Sequence, residues 1–335
     1  MDKIMFAHDS GGRLSHKLIN EVFFKYFKNP ILDKTDDSAN IKSPGKLLAY
    51  TTDSFVIKPR FFPGGDIGKL AVCGTLNDIG VQGATPKYLT AGFIIEEGFS
   101  ISELEKIVIS MALCAEQNGV QIVAGDTKIV EKNACDGLFI NVSGIGFFET
   151  DNIPDIDRIS NGDKVIITGT IGDHGMTILT QRKEIGIESN LKSDCAALSK
   201  ILVELVKKFN PDIKFMRDPT RGGLAGILIE IAEKSDKGIM LYEEQIPVSA
   251  EVKAICEILG FDPLYVANEG KCAVIVDKRA EKDCLNFLKK FTECRNSSVI
   301  GEIIESPDKK VLMKSLYGGT RIVSMLSGEQ LPRIC

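Results

Sequence analysis

The sequence predicts a protein of the α/β (α+β) class with two domains, for three reasons. At 335 residues the chain is too long for one small core and suits two domains of ordinary size. Runs with strand patterns and runs with helix patterns occur together in both halves. A polar, turn-rich stretch over residues 149–162 separates the halves. We therefore expect domains over residues 1–150 and 151–317, followed by a flexible tail over residues 318–335.

The first half is predicted to contain four strands and two helices. Residues 47–57 form a strand that carries Asp53 near its end. Asp66 caps a helix that ends near Asp78. Ser102 and Glu105 form a capping box that opens the second helix, which stops at Gly119. The other strands are expected over residues 88–95, 120–124 and 138–148, and the strand over 120–124 leads into Gly125-Asp126-Thr127-Lys128.

The second half restarts with a strand over residues 164–168 and a glycine-rich turn over 169–175. A helix over about residues 194–209 follows, and the segment 218–223 opens another helix over 224–233. The last predicted elements are a strand over 274–276, a helix over 281–291 and a strand over 298–304.

The composition excludes several classes of partner. A net charge of −5 argues against nucleic acid, whose phosphates require a basic surface. No segment approaches the ~20 consecutive apolar residues that cross a bilayer, and the first residues lack the apolar core of a secretory signal. With 44% apolar and 26% charged residues, the sequence indicates a soluble globular protein, which we expect to be cytoplasmic.

The nine cysteines are scattered without a Cys-x-x-Cys pair, and only three histidines accompany them, which argues against a zinc cluster. Cys114, Cys272 and Cys284 fall in helical patterns or an apolar run, so we expect them in the core. Cys335 is the last residue of the sequence. A prenylation signal is excluded, because it needs a cysteine four residues from the end. Two interpretations stay open for Cys335, namely a frayed terminus and a thiol placed to travel.

Acidic residues recur at strand ends and turns of the first half: Asp37, Asp53, Asp78 and Asp126. From four separate segments they could converge on one or two Mg²⁺ ions, which prefer oxygen ligands and bring in nucleotide phosphates. The alternative is that each one is a cap or turn residue. Gly11-Gly12 and Gly64-Gly65 would let the backbone approach phosphate, although neither pair fits a Walker or dinucleotide-binding spacing. Spacing alone therefore indicates only a candidate nucleotide enzyme.

A series of short motifs, in order from residue 8 to the end, resembles the HypE family of hydrogenase maturation proteins. The terminal Pro332-Arg333-Ile334-Cys335 is the most specific of them. Two positions depart from the family pattern: Asp9 stands where the family more often has Gly, and the loop over 36–40 matches only loosely. The other matching motifs are the segments 51–56, 61–78, 125–128, 172–175, 217–223 and 267–271.

The resemblance implies the PurM-like fold of the aminoimidazole-ribonucleotide-synthetase superfamily, with two α/β domains and a homodimer formed through the N-terminal domains. It also implies an ATP- and Mg²⁺-dependent enzyme. A carbamoyltransferase, HypF, would load a carbamoyl group onto Cys335, and the chain would dehydrate that group to a thiocyanate. The thiocyanate would supply the cyanide ligand for the iron of [NiFe]-hydrogenase, with the HypC–HypD iron scaffold complex as a further partner.

The resemblance assigns residue roles as well. Cys335 carries the reacting group, Glu269 is the candidate base and Lys128 would stabilise the transferring phosphoryl group. Lys128 could instead pair with a surface acid, Glu269 could instead cap the chain at Gly270, and His174 could contact nucleotide or fill a turn. The residues implied in cofactor binding are Asp37, Asp53, Lys69, Asp78, Asp126 and Asp218, of which Asp37, Asp53, Asp78 and Asp126 would bind the metal.

Three other functions compete with this hypothesis. A selenophosphate synthetase would want a reactive cysteine near the N-terminus, whereas the first cysteine here is Cys73. A thiamine-phosphate kinase belongs to the same superfamily. A non-catalytic maturation scaffold would not need the acidic residues, Lys128, Glu269 and Cys335 together.

Overall fold

The structure is a computed structural model, and it describes residues 3–5, 8, 13–34, 39, 41, 43–45, 47–150, 152–182, 184–306 and 308–326. Two of the predicted site residues, Asp37 and Cys335, lie outside the described residues. In the described part of the chain, no helix is both long and apolar enough to cross a bilayer.

The first domain is built on a four-stranded sheet. Strand β1 (Leu48–Phe55) pairs antiparallel with β6 (Leu138–Phe147), and β6 pairs antiparallel with β4 (Thr85–Glu96). Strand β5 (Gln121–Val130) lies parallel to β4 at the far edge. The other strands and the helices of this domain are β2 (Phe61–Phe62), β3 (Gly65–Asp66), α1 (Arg13–Leu18), α2 (Lys25–Phe27), α3 (Ile67–Val81) and α4 (Ile101–Asn118).

Helices α3 and α4 cover one face of this sheet. Buried side chains of α3, such as Leu70, and of α4, such as Ile107 and Met111, share one core with Leu89 and Val142 of the sheet. The helices do not cover the other face, where Tyr50 and Ile94 are exposed.

The second domain is built on a seven-stranded sheet in the order β13-β12-β9-β11-β7-β10-β8. Its pairs are antiparallel except β12 with β9. The strands are β7 (Lys164–Ile167), β8 (Ile213–Arg217), β9 (Gly238–Tyr242), β10 (Ala273–Val276), β11 (Ser298–Ile304), β12 (Val311–Lys314) and β13 (Thr320–Val323). The helices are α5 (Asp173–Thr180), α6 (Ser199–Phe209), α7 (Gly223–Ser235), α8 (Ala250–Leu259) and α9 (Glu281–Leu288).

The central strands of this sheet are buried on both faces. Val165 and Ile167 of β7 join a core that contains residues of α7. Ile166, between them, joins the core formed with α6 and α9. Successive side chains of a strand point to opposite faces, so a strand buried on both faces has a continuous apolar run.

Helix α3 of the first domain also packs against α6 and β8 of the second domain. Gly80 makes this approach possible, because a Cβ atom there would lie 2.6 Å from the Cα of Ser199. Apart from Lys69 and Asp78, every residue of α3 is buried. A helix enclosed on all sides needs apolar or small residues on all sides, and α3 has them.

The two-domain α/β fold is confirmed, and two local predictions are wrong. Helix α4 is capped by Ser100, whose side chain accepts from the backbone N–H of Glu103, and not by Ser102. Strand β5 continues to Val130, so Asp126 and Lys128 lie within a strand because β4 offers them a full-length partner. Within the residues that the structure describes, sequence reasoning also missed four helices and six strands, namely α1, α2, α5, α8, β2, β3, β8, β9, β12 and β13.

The predicted start of the flexible tail at residue 318 is also wrong. Residues Thr320–Val323 form β13, which pairs with β12 in the seven-stranded sheet. Gly318 adopts a positive φ of 87°, and this conformation lets the chain reverse between the two strands. The residues predicted as tail therefore begin as part of the second domain.

We predict that Gly80→Ala destabilises the protein by roughly 1–3 kcal/mol, since the added methyl group meets the backbone of Ser199 and overpacking outweighs the helix propensity gained. Gly226→Ala in α7 is the matched control, because the nearest atom to its new Cβ would be 3.5 Å away. The control variant should be neutral or slightly more stable. Urea denaturation measures both, and equal stabilities would contradict the proposed close contact.

Candidate active site

Strand β1 and helix α3 bring Asp53 and Asp78 together. Thr51 Oγ1 donates a hydrogen bond of 2.8 Å to Asp78 Oδ2. Asp53, two residues further along the same face of β1, has its Oδ2 only 3.7 Å from where a Cβ of Gly74 would be. Gly74 and Asp78 are one helical turn apart on the same face of α3. The two carboxylates therefore lie side by side between the strand and the helix.

The second domain adds two further carboxyl groups. Asp218 directly follows β8, and Glu269 lies in the turn that precedes β10. The charges of Asp78 and Asp53 both raise the pKa of Asp218, and the charges of Asp218 and Asp53 raise the pKa of Glu269. We call these four residues, Asp53, Asp78, Asp218 and Glu269, the acid cluster.

Burial is the largest cause of the raised pKa values in the acid cluster. It raises the pKa of Asp218 to about 7, with a further contribution from Asp78. Glu269 is 3% exposed. Burial holds its pKa well above the usual range, and the charges of the neighbouring Cys195 and Asp194 raise this pKa further. The pKa of Asp78 is also raised by burial, although the hydrogen bond from Thr51 and the positive charges of two arginines oppose the shift. Those arginines are Arg217 and Arg221.

An open cavity of about 500 Å³ adjoins the acid cluster. Its polar lining consists of Thr51, Asp78, Gln82, Arg217 and Asp218. The remaining lining is largely apolar and includes Leu48, Tyr50, Phe148, Phe215 and Met216. A cavity of this size with a few grouped polar side chains is typical of small-molecule sites.

The donor set fits magnesium. No group of three or more His, Cys, Asp or Glu side chains within the described ranges is arranged to hold a metal ion by itself. Mg²⁺, however, is usually bound through one or two carboxylates together with substrate phosphates and water. Asp53 and Asp78 supply two hard oxygen ligands of that kind.

A buried ion pair supports the turn that carries Glu269. Lys271 Nζ lies 3.2 Å from Asp194 Oδ2, and the two side chains are 8% and 3% exposed. The other carboxylate oxygen of Asp194 accepts from the backbone N–H of Glu269 at 3.2 Å. Gly270 permits this contact, since a Cβ there would lie 1.9 Å from the carbonyl oxygen of Asp194. Sequence reasoning missed the pair, and its one signal was the position of Lys271 in the motif over 267–271.

Within one chain, the structure does not bring Asp126 and Lys128 to the acid cluster. They lie in β5, at the opposite edge of the sheet from β1, which is about 14 Å away across three strand spacings. Across the sheet, Ser54 pairs with Asn141, Asn141 with Gly92, and Gly92 with Asp126. Paired residues share a face, so Asp126 lies on the face of Ser54, which is opposite to the face of Asp53. The hydrogen bond from Asn141 to Ser54 Oγ at 2.9 Å lies on that same face.

Lys69 and His174 lie near Gly64, at the start of α3. Lys69 Nζ donates to the carbonyl oxygen of Gly64 at 2.9 Å, and it is nine residues from Asp78, about 13 Å along the helix. His174 is fully buried, shares a 2.8 Å hydrogen bond with Ser193 Oγ and meets the Phe62 ring edge to face. Of its two interpretations, these contacts favour a structural one.

Comparison with known proteins agrees with the motifs. The family models for AIR synthase related protein match residues 35–148 (N-terminal domain) and 160–314 (C-terminal domain). The carbamoyl dehydratase HypE of Azotobacter vinelandii is 44% identical over 332 residues, which are 99% of this chain and 97% of that protein. The chain belongs to the HypE family.

Two solved structures of HypE proteins extend this result. A crystal structure of hydrogenase maturation protein HypE in complex with ATP matches with a TM-score of 0.94 and 44% identity over 99% of both chains. A crystal structure of a HypE–HypF complex matches with a TM-score of 0.81 and 46% identity over 92% of this chain and 99% of that one. These comparisons confirm the family resemblance and the PurM-like fold that the sequence motifs predicted.

We predict that Asp218→Asn stabilises the protein more as the pH rises. Because the folded pKa of Asp218 is about 7 and the unfolded value is about 3.9, the folded state holds this proton to a higher pH. The wild type therefore loses stability between about pH 4 and pH 7, whereas the variant has no such loss. The gain of the variant over wild type should grow by about 3 kcal/mol between pH 5 and pH 8.

Chemical denaturation in a buffer with a metal chelator measures this difference. Asp157→Asn, which changes an exposed acid, is the control and should give the same difference at both pH values. A pH-independent effect of Asp218→Asn would mean that Asp218 is ionised throughout this range.

Proposed function

We propose that the chain uses ATP to dehydrate an S-carbamoyl group on Cys335 to a thiocyanate, which supplies cyanide for the iron of [NiFe]-hydrogenase. The observation that carries the proposal is the acid cluster. It joins residues of both domains from the motifs by which the sequence resembles the HypE family. It also places the buried Glu269 beside carboxylates suited to a metal–nucleotide complex.

The chemistry explains why ATP is needed. The carbamoyl oxygen is a poor leaving group, so it attacks the γ-phosphorus of ATP, and ADP leaves. The nitrogen loses one proton as the oxygen is phosphorylated and a second as the C–O bond breaks. Phosphate then departs with the oxygen, and the product is S–C≡N. The net change is loss of the elements of water from the carbamoyl group, with one ATP converted to ADP and phosphate.

Glu269 is the proposed base. A general base works best when its pKa is close to the working pH, and burial raises the pKa of Glu269 well above that of an ordinary glutamate. The buried Lys271–Asp194 pair holds the backbone on either side of it. Its carboxylate would accept a proton from the carbamoyl nitrogen.

Asp53 and Asp78 would hold Mg²⁺, which aligns the nucleotide phosphates and offsets their charge. Asp37 and Asp126 remain predicted ligands. Asp218 and Lys69 remain predicted nucleotide contacts.

The beginning of the tail is held beside the turn that carries Glu269. Tyr265 donates a hydrogen bond of 2.8 Å to the carbonyl oxygen of Ser324, and Arg321 pairs with Asp262 at 2.6 Å. Cys335 is eleven residues beyond Ser324, a stretch that spans at most about 38 Å when extended. Tyr265 is only four residues before Glu269. Because the stretch from Ser324 to Cys335 starts beside the Glu269 turn, its length supports delivery of the thiol both to the acid cluster and to a loading partner.

We propose HypF as the partner that loads Cys335 and HypC–HypD as the complex that accepts the cyanide. We also propose a homodimer through the open face of the first-domain sheet. That face exposes Leu48, Tyr50 and Ile94, with 46%, 64% and 44% of their surfaces accessible, and pairing two chains would bury them. It would also give Asp126 and Lys128, which lie on this face, a route to the acid cluster of the second chain.

Intact-mass analysis tests the function. Incubation with HypF, carbamoyl phosphate and ATP should add ~43 Da to the chain and then remove ~18 Da, as expected for gain of HNCO followed by loss of water. Cys335→Ala should bind ATP normally and gain no mass. Loading without the second mass change, in the presence of Mg·ATP, would rule out the dehydratase function.

Mixed dimers test both the base and the homodimer. Glu269→Gln should load normally and accumulate carbamoyl-Cys335, because glutamine keeps the shape but accepts no proton. Lys128→Ala should also be slow. If Lys128 serves the site of the partner chain, mixing the two inactive variants should restore activity to about a quarter of wild type, since half the dimers are mixed and each has one intact site. Absence of recovery after subunit exchange would place Lys128 outside the shared site.

A further inference from the structure

Asn77 is a buried polar residue that directly precedes Asp78 in α3, with 3% of its surface exposed. Its Oδ1 accepts from the backbone N–H of Leu198 at 2.7 Å. Its Nδ2 donates to the carbonyl oxygen of Ala196 at 3.0 Å and to that of Glu269 at 3.4 Å. All three partners belong to the second domain, although Asn77 belongs to the first.

This arrangement satisfies the amide only when the two domains are docked. A buried amide without partners is costly, because it has lost its hydrogen bonds to water. The side chain therefore favours one relative position of the domains. It joins Asp78, its neighbour in sequence, to the backbone of the candidate base.

The segment over residues 194–198 makes this link stiff. Besides contacting Asn77, this segment forms two hydrogen bonds with the backbone of Glu269. Asp194 Oδ1 accepts from the N–H of Glu269 at 3.2 Å, and the N–H of Ala196 donates to the carbonyl oxygen of Glu269 at 3.5 Å. Next to it, Gly80 of α3 lies against Ser199. The turn that carries Glu269 therefore cannot shift without moving the segment that Asn77 binds.

We propose that Asn77 is a positioning residue that fixes the distance between Glu269 in the second domain and the carboxylates of Asp53 and Asp78 in the first. The inference rests on the proposed function of Glu269 as the base. A base must be in place at the moment of proton transfer, and small displacements slow that step strongly. Nucleotide binding relies on other side chains, so it should depend on Asn77 much less.

Asn29 provides a matched control, because it is an equally satisfied buried asparagine of the first domain. Its Nδ2 donates to the carbonyl oxygens of Phe27 and Ile122 at 2.9 and 2.8 Å. Its Oδ1 accepts from the N–H groups of Ile31 and Leu32, each at 3.0 Å. It is 7% exposed and binds β5, the strand at the opposite edge from β1.

The experiment compares wild type, Asn77→Ala and Asn29→Ala in the conversion of HypF-loaded Cys335, with rates normalised to the folded fraction. Asn77→Ala should lower kcat about 10–100-fold and leave KM for ATP within about twofold, since only the transition state loses its alignment. It should also accumulate carbamoyl-Cys335. Asn29→Ala should lose stability but keep its kcat.

Each other result overturns one specific claim. Equal loss of kcat in both variants, or no loss in Asn77→Ala, would show that Asn77 is only a structural residue. Failure of wild type to convert loaded Cys335 would instead reject the proposed function and this inference with it. If Asn77→Ala does not fold, Asn77→Ser keeps a hydroxyl that can bond one partner. It should show the same loss of kcat in smaller degree, and normal kcat in the serine variant would overturn the inference.

Discussion

The mutual repulsion of four carboxyl groups is the constraint on which the rest of this structure depends. Two unit charges about 4 Å apart interact with about 4 kcal/mol at the effective dielectric of a protein surface, and a whole domain is stable by only about 5–15 kcal/mol. The acid cluster therefore cannot be fully ionised without compensation. Protonation is one form of relief: burial first, and then the charges of Asp78 and Asp53, raise the pKa of Asp218 to about 7. A divalent cation bound with a nucleotide is the other, and the proposed function uses it.

Helix α3 gathers the groups that share this constraint. Gly74 and Asp78, four residues apart, face β1. Asn77 and Gly80, three residues apart, face the second domain. Residues three or four positions apart share one face of a helix. The helix can be enclosed on all sides because its buried residues are apolar or small, apart from Asn77, whose amide is hydrogen-bonded. Its two residues that are not buried, Lys69 and Asp78, are both predicted to bind the cofactor. The buried residues of α3 therefore serve stability and position, whereas its two partly exposed residues are the ones predicted to bind the cofactor.

The sequence predicted those features that depend on local patterns. The cap at Asp66 and the glycine at Gly119 are confirmed, because each acts within one turn of its own helix. The place of Asp126 was not predictable in the same way, because it depends on the register of three strand pairs. Strand β8 was missed since its pairing with β10 brings together residues about sixty positions apart. The sequence motifs located Asp218 and Glu269, but it is the pairing of β8 with β10 and the packing of α3 against β8 and α6 that put them beside Asp53.

The division of the site between two domains explains why its polar support is so extensive. Residues of a single helix or strand are held in place by that element, whereas Asp78 and Glu269 have no shared element to fix their distance. Asn77 and the Asp194–Lys271 pair supply that fixed distance through hydrogen bonds to backbone atoms. Backbone partners tolerate changes of neighbouring side chains, since every residue type except proline offers the same carbonyl and N–H groups. The relative position of Asp78 and Glu269 is thus set by groups outside the proposed chemistry, and this leaves the carboxylates free for the proposed metal, nucleotide and proton.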